Sequence, residues 1–424
     1  MNTFAPSRRA VLKTFALGAS AALLPRPTFA QGPARVVVVG GGFAGASCAR
    51  ELQRSGTVAV TLVETNPTFT ACPFSNNVIA GLRELREQEF GYDAIKKVGV
   101  AVVHQSAARV DPQARRVTLS DGTGLDYDRL VLAPGIDLRF DVLPGYDEGA
   151  AEAIPHAWKA GPQTELLRRQ LDSMEDGGVV VMSAPPNPFR CPPGPYERAS
   201  LIAHYLKAKK PRSKLIVLDA KDMFSKQRLF QAAWRELYPG LIEWVSLSEG
   251  GKVTSVDPAT KTLVTEFGRH KAAVANVIPP QRAGRIAEIA GAADRTGWCP
   301  VDPVTFESKL QPNIHVIGDA GIMGGMPKSA FSANSQAKVC AAAVAALLRG
   351  EQPAVPKLIN TCYSLVAPDY GISIAGVYRP VNEQLVDVQG AGGVSPLDAP
   401  RSFRSLEATY AQAWFQTITT EVFG

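Results

Sequence analysis

Val36-Val37-Val38-Val39-Gly40-Gly41-Gly42-Phe43-Ala44-Gly45 joins four β-branched residues to a glycine turn and the start of a helical stretch, and Glu64 closes the next apolar run. Four successive valines suit a strand buried on both faces of a parallel sheet. In Gly40-x-Gly42-x-x-Gly45 the first glycine permits a tight turn, the second lets backbone amides approach a pyrophosphate, and the third lets the helix pack closely on the sheet. A carboxylate at Glu64 is then placed to accept hydrogen bonds from an adenosine ribose. The glycine spacing alone is a weak signal; with the strand, the helix and Glu64 it predicts a dinucleotide fold that binds FAD or NAD.

The N-terminus carries a different kind of information. Ser7-Arg8-Arg9-Ala10-Val11-Leu12-Lys13 leads into a weakly apolar stretch from Thr14 to Leu24 and closes on Thr28-Phe29-Ala30, a small-residue cleavage pattern. These features predict a twin-arginine export signal over residues 1–30 and a mature chain that begins near Gln31 in the periplasm. Because that route carries folded proteins, it suits a chain that must trap a bulky cofactor before leaving the cytoplasm. The apolar run falls well short of the roughly 20 residues that span a bilayer, which makes an N-terminal anchor the weaker alternative.

Of the 45 basic residues, Arg8, Arg9, Lys13 and Arg26 lie in this segment, leaving 41 against 39 acidic ones. So balanced a charge offers no electrostatic footprint for nucleic acid. Six cysteines in 424 residues are too few for a disulfide scaffold and none has zinc spacing, so no metal site is expected. No Cys-x-x-Cys-His occurs, so a c-type haem would have to belong to another chain.

The length predicts two or three domains. Strand-like stretches fill Val100 to Leu132, and Leu130-Val131-Leu132-Ala133-Pro134-Gly135 is where a flavin domain sends its chain out to a second domain. The next strand-like run, Val179-Val180-Val181-Met182-Ser183, meets Ala184-Pro185-Pro186-Asn187-Pro188-Phe189-Arg190-Cys191-Pro192-Pro193-Gly194-Pro195 where a second glycine fingerprint would stand. Proline has no amide hydrogen to offer a phosphate and fixes its backbone dihedral, so this second Rossmann-like domain is expected to have lost its nicotinamide site. Asn313-Ile314-His315-Val316-Ile317-Gly318-Asp319-Ala320 reads as the return to the flavin domain, followed by a helix from about Lys328 to Leu348 and a small strand-rich cap. The expected fold is α/β. A first part of an FAD-binding domain (31–150) precedes a second Rossmann-like domain (151–275). The FAD-binding domain then resumes (276–352), and a C-terminal α+β cap (353–424) completes the chain.

The fingerprint, the Gly318-Asp319 strand and the intervening domain resemble the glutathione-reductase-like flavoproteins. Within them, Thr70-Ala71-Cys72-Pro73-Phe74-Ser75-Asn76, the proline loop around Cys191, and Asn360-Thr361-Cys362-Tyr363-Ser364 are similar to the flavoprotein subunit of flavocytochrome c sulfide dehydrogenase over essentially the whole mature chain. The resemblance implies that Cys72 is bonded through sulfur to the 8α-methyl of FAD, which would prevent cofactor loss after export. It implies also that Cys191 and Cys362 form a redox disulfide above the flavin, and that Asp319 binds the ribityl chain. Glu197 would shuttle protons near the disulfide, although a glutamate in the first turn of a helix is favoured by the dipole alone. Lys328 and the helix after it would direct positive potential at the flavin. A helix opening at Pro195 would favour a Cys191 thiolate. Cys48, Cys299 and Cys340 read as buried, unreactive thiols.

The function implied is oxidation of sulfide: hydrosulfide opens the disulfide, two electrons pass to the flavin, and a separate c-type cytochrome accepts them. Three alternatives stand beside it. A sulfide:quinone oxidoreductase would share the fold but should carry an apolar amphipathic C-terminus for the bilayer, and the tail Tyr410–Gly424 has aromatic residues without a basic face. An NAD(P)H-dependent disulfide reductase would need the nucleotide site that the prolines remove. A non-catalytic electron-transfer or assembly flavoprotein of a sulfur-oxidising complex would need none of the relay.

Overall fold

The valine run is the central strand of a parallel sheet. The structure, a computed structural model, describes residues 32–424, so the export signal read over residues 1–30 lies outside the described residues. Strand β1 (Ala34–Val39) leads through the glycine turn into α1 (Phe43–Arg54) and on to β2 (Val58–Val63), β3 (Ala101–Val103) and β4 (Arg129–Leu132). Val36, Val37 and Val38 are buried, as a strand covered on both faces requires. At Gly40 the backbone is left-handed (φ +102°) and the Ala133 carbonyl leaves no room for a Cβ; at Gly45 a Cβ would overlap the Gly40 carbonyl oxygen. The two glycines therefore let the turn tighten and the helix settle onto it.

The chain then builds a second parallel sheet from β5 (Val179–Ala184), β6 (Lys214–Asp219), β7 (Ile242–Val245) and β8 (Val274–Val277), in the order β7-β6-β5-β8. Helices α2 (Gly194–Lys209) and α3 (Gln227–Leu237) follow β5 and β6. The last strand of this sheet runs past residue 275, the expected boundary, to Val277. Strand β9 (Ile314–Val316) then returns to the first sheet, whose order is β9-β4-β1-β2-β3. Helix α4 (Ala330–Leu348) packs its small residues on α1 and is capped by Ser329, whose side chain accepts the Ser332 amide.

The C-terminal unit is an antiparallel sheet of β10 (Leu358–Ala367), β11 (Tyr370–Val381), β12 (Gln384–Asp387) and β13 (Gly393–Val394), followed by a long helix, α5 (Arg401–Phe423). Helix α5 crosses β11 and ends against the first domain. There the Phe423 ring stacks on Phe69 and Phe90 and meets Phe43 edge-on. Arg50 of α1 donates to the carbonyls of Val422 and Gly424 and holds the end of the chain in place. The tail is thus a structural helix of this fold.

Candidate active site

One cavity of about 620 Å³ receives residues from all three units. Gly40, Gly42 and Glu64 line one end, and Asp319, Cys72, Cys191, Cys362 and Glu197 line the rest. Gly45 lies beneath the turn and acts through packing. Helix α1 starts at the cavity with no side-chain cap on its first amides, which leaves N–H groups free for an anion. The Glu64 carboxylate accepts the Gly41 amide at 2.7 Å and the Asn66 amide at 3.0 Å, so it is fixed at the edge of the fingerprint.

Asp319 supplies a more direct indication of a ligand, because its Oδ1 is buried without a hydrogen-bond partner. Burial pushes its carboxyl above the ordinary range, against the opposing pull of Arg190 and Lys328. Free amides, a fixed carboxylate and an orphaned buried acceptor fit the pyrophosphate, ribose and ribityl hydroxyls of FAD.

Cys72 is half-buried at the cavity wall, its Sγ 3.8 Å from the Trp158 carbonyl oxygen. Cys191 adopts a left-handed backbone (φ +57°), with its amide donating to the Lys328 carbonyl at 2.9 Å. Packing around it is tight: a Cβ on Gly194 would come within 3.0 Å of its sulfur and 2.8 Å of the Trp158 ring. Cys362, on β10, accepts a hydrogen bond from the Asn360 amide at 3.4 Å, and Asn360 is itself held by Ser329 and Ser332. All six cysteines are free thiols in this structure, and Cys48, Cys299 and Cys340 are buried outside the cavity lining.

Two expectations need correction. Helix α2 begins at Gly194 behind Cys191, yet the thiol is not acidified: burial, then Cys362 and Glu197, push its pKa well above the ordinary value. Arg190 and Lys226 pull the other way and do not prevail over desolvation. Lys328 does not line the cavity. Its ammonium donates to the carbonyls of Asp319 (2.9 Å) and Gly321 (2.5 Å) and lies 4.1 Å from the centre of the Trp298 ring. It reaches the site through its backbone carbonyl, which fixes Cys191, and through its charge, which pulls on Asp319.

Glu197 is half-buried between two donors, the Leu365 amide at 2.8 Å and the Asn76 side chain at 3.1 Å. Burial raises its pKa, although both hydrogen bonds and the nearby Lys226 and Arg198 lower it. Three cations that the sequence reading did not single out act on the site, Arg190 and Arg198 from the cavity wall and Lys226 from outside its lining. Arg190 donates to the Trp158 carbonyl; burial disfavours its charge, but the facing Cys72, Asp319 and Cys191 hold its pKa above the ordinary value. Arg198 is 2 % exposed and donates to Asn76, Asn276 and the His156 and Ala157 carbonyls. Lys226 reaches in from the start of α3. For the arginines a signal existed, since they flank Cys191 and Glu197 in sequence; for Lys226 there was none.

In the second sheet, the position at the end of β6 where a nucleotide-binding domain offers a ribose carboxylate is Asp219. It is wholly buried and accepts from Tyr196 (2.6 Å), Trp244 (2.9 Å) and the Lys221 ammonium (2.6 Å). Lys221 also donates to Pro185 O at 2.6 Å and faces the Phe189 ring. The Asp219 carboxylate is thus engaged by the chain's own side chains.

Profiles of known families match three stretches: a pyridine nucleotide-disulphide oxidoreductase domain at 34–173, the central domain of the sulfide dehydrogenase [flavocytochrome c] flavoprotein chain at 164–279, and the flavocytochrome c sulphide dehydrogenase flavin-binding domain at 354–423. A 48-residue sequence of the sulfide dehydrogenase [flavocytochrome c] flavoprotein chain from Chlorobaculum thiosulfatiphilum aligns at 56 % identity over all its length and 11 % of this chain. Mitochondrial sulfide:quinone oxidoreductase of Mus musculus is 23 % identical over 75 % of this chain and 72 % of its own. The fold resembles that of sulfide:quinone oxidoreductase from Aquifex aeolicus, with a TM-score of 0.71 at 18 % identity over 92 % of each chain.

Proposed function

This chain belongs to the flavocytochrome c sulfide dehydrogenase flavoprotein family, flavin-dependent oxidoreductases that oxidise sulfide, and we propose that it oxidises sulfide in the periplasm and delivers the electrons to a c-type cytochrome. The observation that carries this reading is the convergence of Cys191, Cys362 and Glu197 on the cavity that also holds the glycine fingerprint, Asp319 and Cys72.

In the oxidised enzyme Cys191 and Cys362 form a disulfide. Hydrosulfide attacks one of its sulfurs; the S–S bond breaks, one cysteine becomes a persulfide that keeps the substrate proton, and the other leaves as a thiolate. Glu197, which lines the same cavity as the pair, takes up or returns the proton as the thiols cycle. Arg190, Arg198 and Lys226 face the negative charge that the attack introduces. Asp319 and Glu64 would anchor FAD, and Cys72 would tether it through a thioether. When bound, FAD supplies acceptance of an electron pair and its release one electron at a time.

A second reading, delivery to quinone, is favoured by the similarity to sulfide:quinone oxidoreductases and by the outward-facing Phe403, Leu406 and Tyr410 of α5. Against it, the end of α5 is used inside the fold, where Phe415 and Phe423 are buried. Sulfide-dependent reduction of a c-type cytochrome and of a short-chain quinone by the purified protein separates the two. Cytochrome reduction with sulfide and none of the quinone is the expected result. Failure of both acceptors while sulfide leaves the flavin oxidised would support the non-catalytic alternative.

A further inference from the structure

Lys226 is a buried lysine whose ammonium forms no ion pair among the described residues. Its backbone is left-handed (φ +62°) at the start of α3, which sends the side chain from the second domain into the C-terminal sheet. There Nζ donates to three neutral acceptors: the carbonyl oxygen of Cys362 at 2.9 Å, Ser364 Oγ at 2.9 Å and the carbonyl oxygen of Ile372 at 3.3 Å. The residue is 8 % exposed. By contrast, the other buried lysine of this domain, Lys221, has Asp219 directly against it. The acidic groups that face Lys226 are Cys362 on β10, Glu197 on α2, Cys191 in the loop before α2, and Glu407 on α5. Three of the four belong to the redox site.

A buried charge is costly unless compensated, and an ammonium held only by neutral acceptors is compensated when a negative charge forms nearby. Opening the Cys191–Cys362 bond with hydrosulfide brings one negative charge into that neighbourhood. We propose that Lys226 is a positioning residue for the thiol pair: its fixed ammonium holds the Cys362 strand and supplies the positive field in which the thiolate forms. The inference deepens the sulfide-oxidation reading and rests on it. Burial pushes the Lys226 pKa down to about 8, with Cys362, Glu197, Cys191 and Glu407 pulling it up, so the field weakens on the alkaline side.

The test uses the full-length, flavin-loaded protein reduced with a phosphine, and measures iodoacetamide alkylation of Cys191 and Cys362 against pH by mass spectrometry. Lys226→Met should move the inflection to higher pH and slow alkylation at neutral pH by at least tenfold, while Lys226→Arg, which keeps the charge, should stay near the original profile. An unmoved inflection in Lys226→Met, whatever its melting temperature, overturns the proposal and leaves a purely structural lysine. If the methionine variant does not fold, the pH profile of sulfide-driven flavin reduction decides: its decline above about pH 8 should move upward by at least one unit in Lys226→Arg, and an unchanged limb overturns the proposal. Alkylation needs no sulfide turnover, so a shifted alkylation profile with no sulfide activity would sink the functional reading alone.

Discussion

The Glu197 carboxylate accepts the backbone amide of Leu365 at 2.8 Å across 168 residues of sequence. That bond joins the first turn of α2, which follows Cys191, to the strand that carries Cys362. One half-buried carboxylate thus ties the segment that follows Cys191 to the strand of Cys362.

Replacing Glu197 by Gln keeps an oxygen for Leu365 but presents an amide to the Asn76 donor. Sulfide-driven flavin reduction should fall by about 10²- to 10⁴-fold, the usual contribution of general acid–base catalysis, while reduction by dithionite is unchanged. Stability gives a separate signature. The native pKa of Glu197 lies above its unfolded value, so its contribution is full below the ordinary carboxylate range and is lost as pH rises through the raised native pKa. The melting temperature of wild type relative to Glu197→Gln should decline over that interval, and a flat difference would count against a raised pKa.

Serine in place of Cys191 or Cys362 leaves no electrophilic sulfur for hydrosulfide. Turnover should drop by orders of magnitude in both variants, with flavin content and thermal melting little altered. A structural bridge predicts the reverse, since its loss typically costs about 2–5 kcal/mol in small secreted domains. Variants that melt early yet still reduce flavin with sulfide would rule the relay out.

Attachment of the flavin through Cys72 is checked by acid precipitation. Yellow colour should remain in the pellet of the wild-type protein and move to the supernatant in Cys72→Ser. Free flavin released from the wild type defeats the assignment.

Anaerobic NADH and NADPH should leave the flavin oxidised, whereas sulfide bleaches it. The physical reason is the end of β6, where Asp219 is wholly buried and already takes hydrogen bonds from Lys221, Tyr196 and Trp244. Bleaching by either nucleotide at catalytic rates would restore the disulfide-reductase alternative.

Phe423→Ala should destabilise the protein by about 3–5 kcal/mol, as expected for truncating a buried aromatic ring, because its neighbours Phe43, Phe69 and Phe90 lose their common contact. Denaturant unfolding measures it. A change below about 0.5 kcal/mol, the range of surface substitutions, would mean that the tail is not part of the packed core.

The α/β class and the dinucleotide cradle were legible because they are written locally. A valine run, glycines at fixed spacing and a carboxylate at the next strand end act within a few turns of chain, and prolines in place of amides are as local a signal. Helix α5 was not legible: its inward face carries Arg404 paired with Glu407, which also accepts from Ser373 and Ser395, while Phe403 and Tyr410 face outward. Polar groups inside and aromatic ones outside blur the periodicity by which a helix is read. The pairing of Cys191 with Cys362 came from resemblance, and their meeting at one cavity depends on packing between segments far apart in the chain. The raised Cys191 pKa, the inward turn of Lys226 and the displacement of the Lys328 ammonium onto Trp298 belong to that level too. Burial and the field of neighbouring charges set them, and neither exists until the three units have closed on one another.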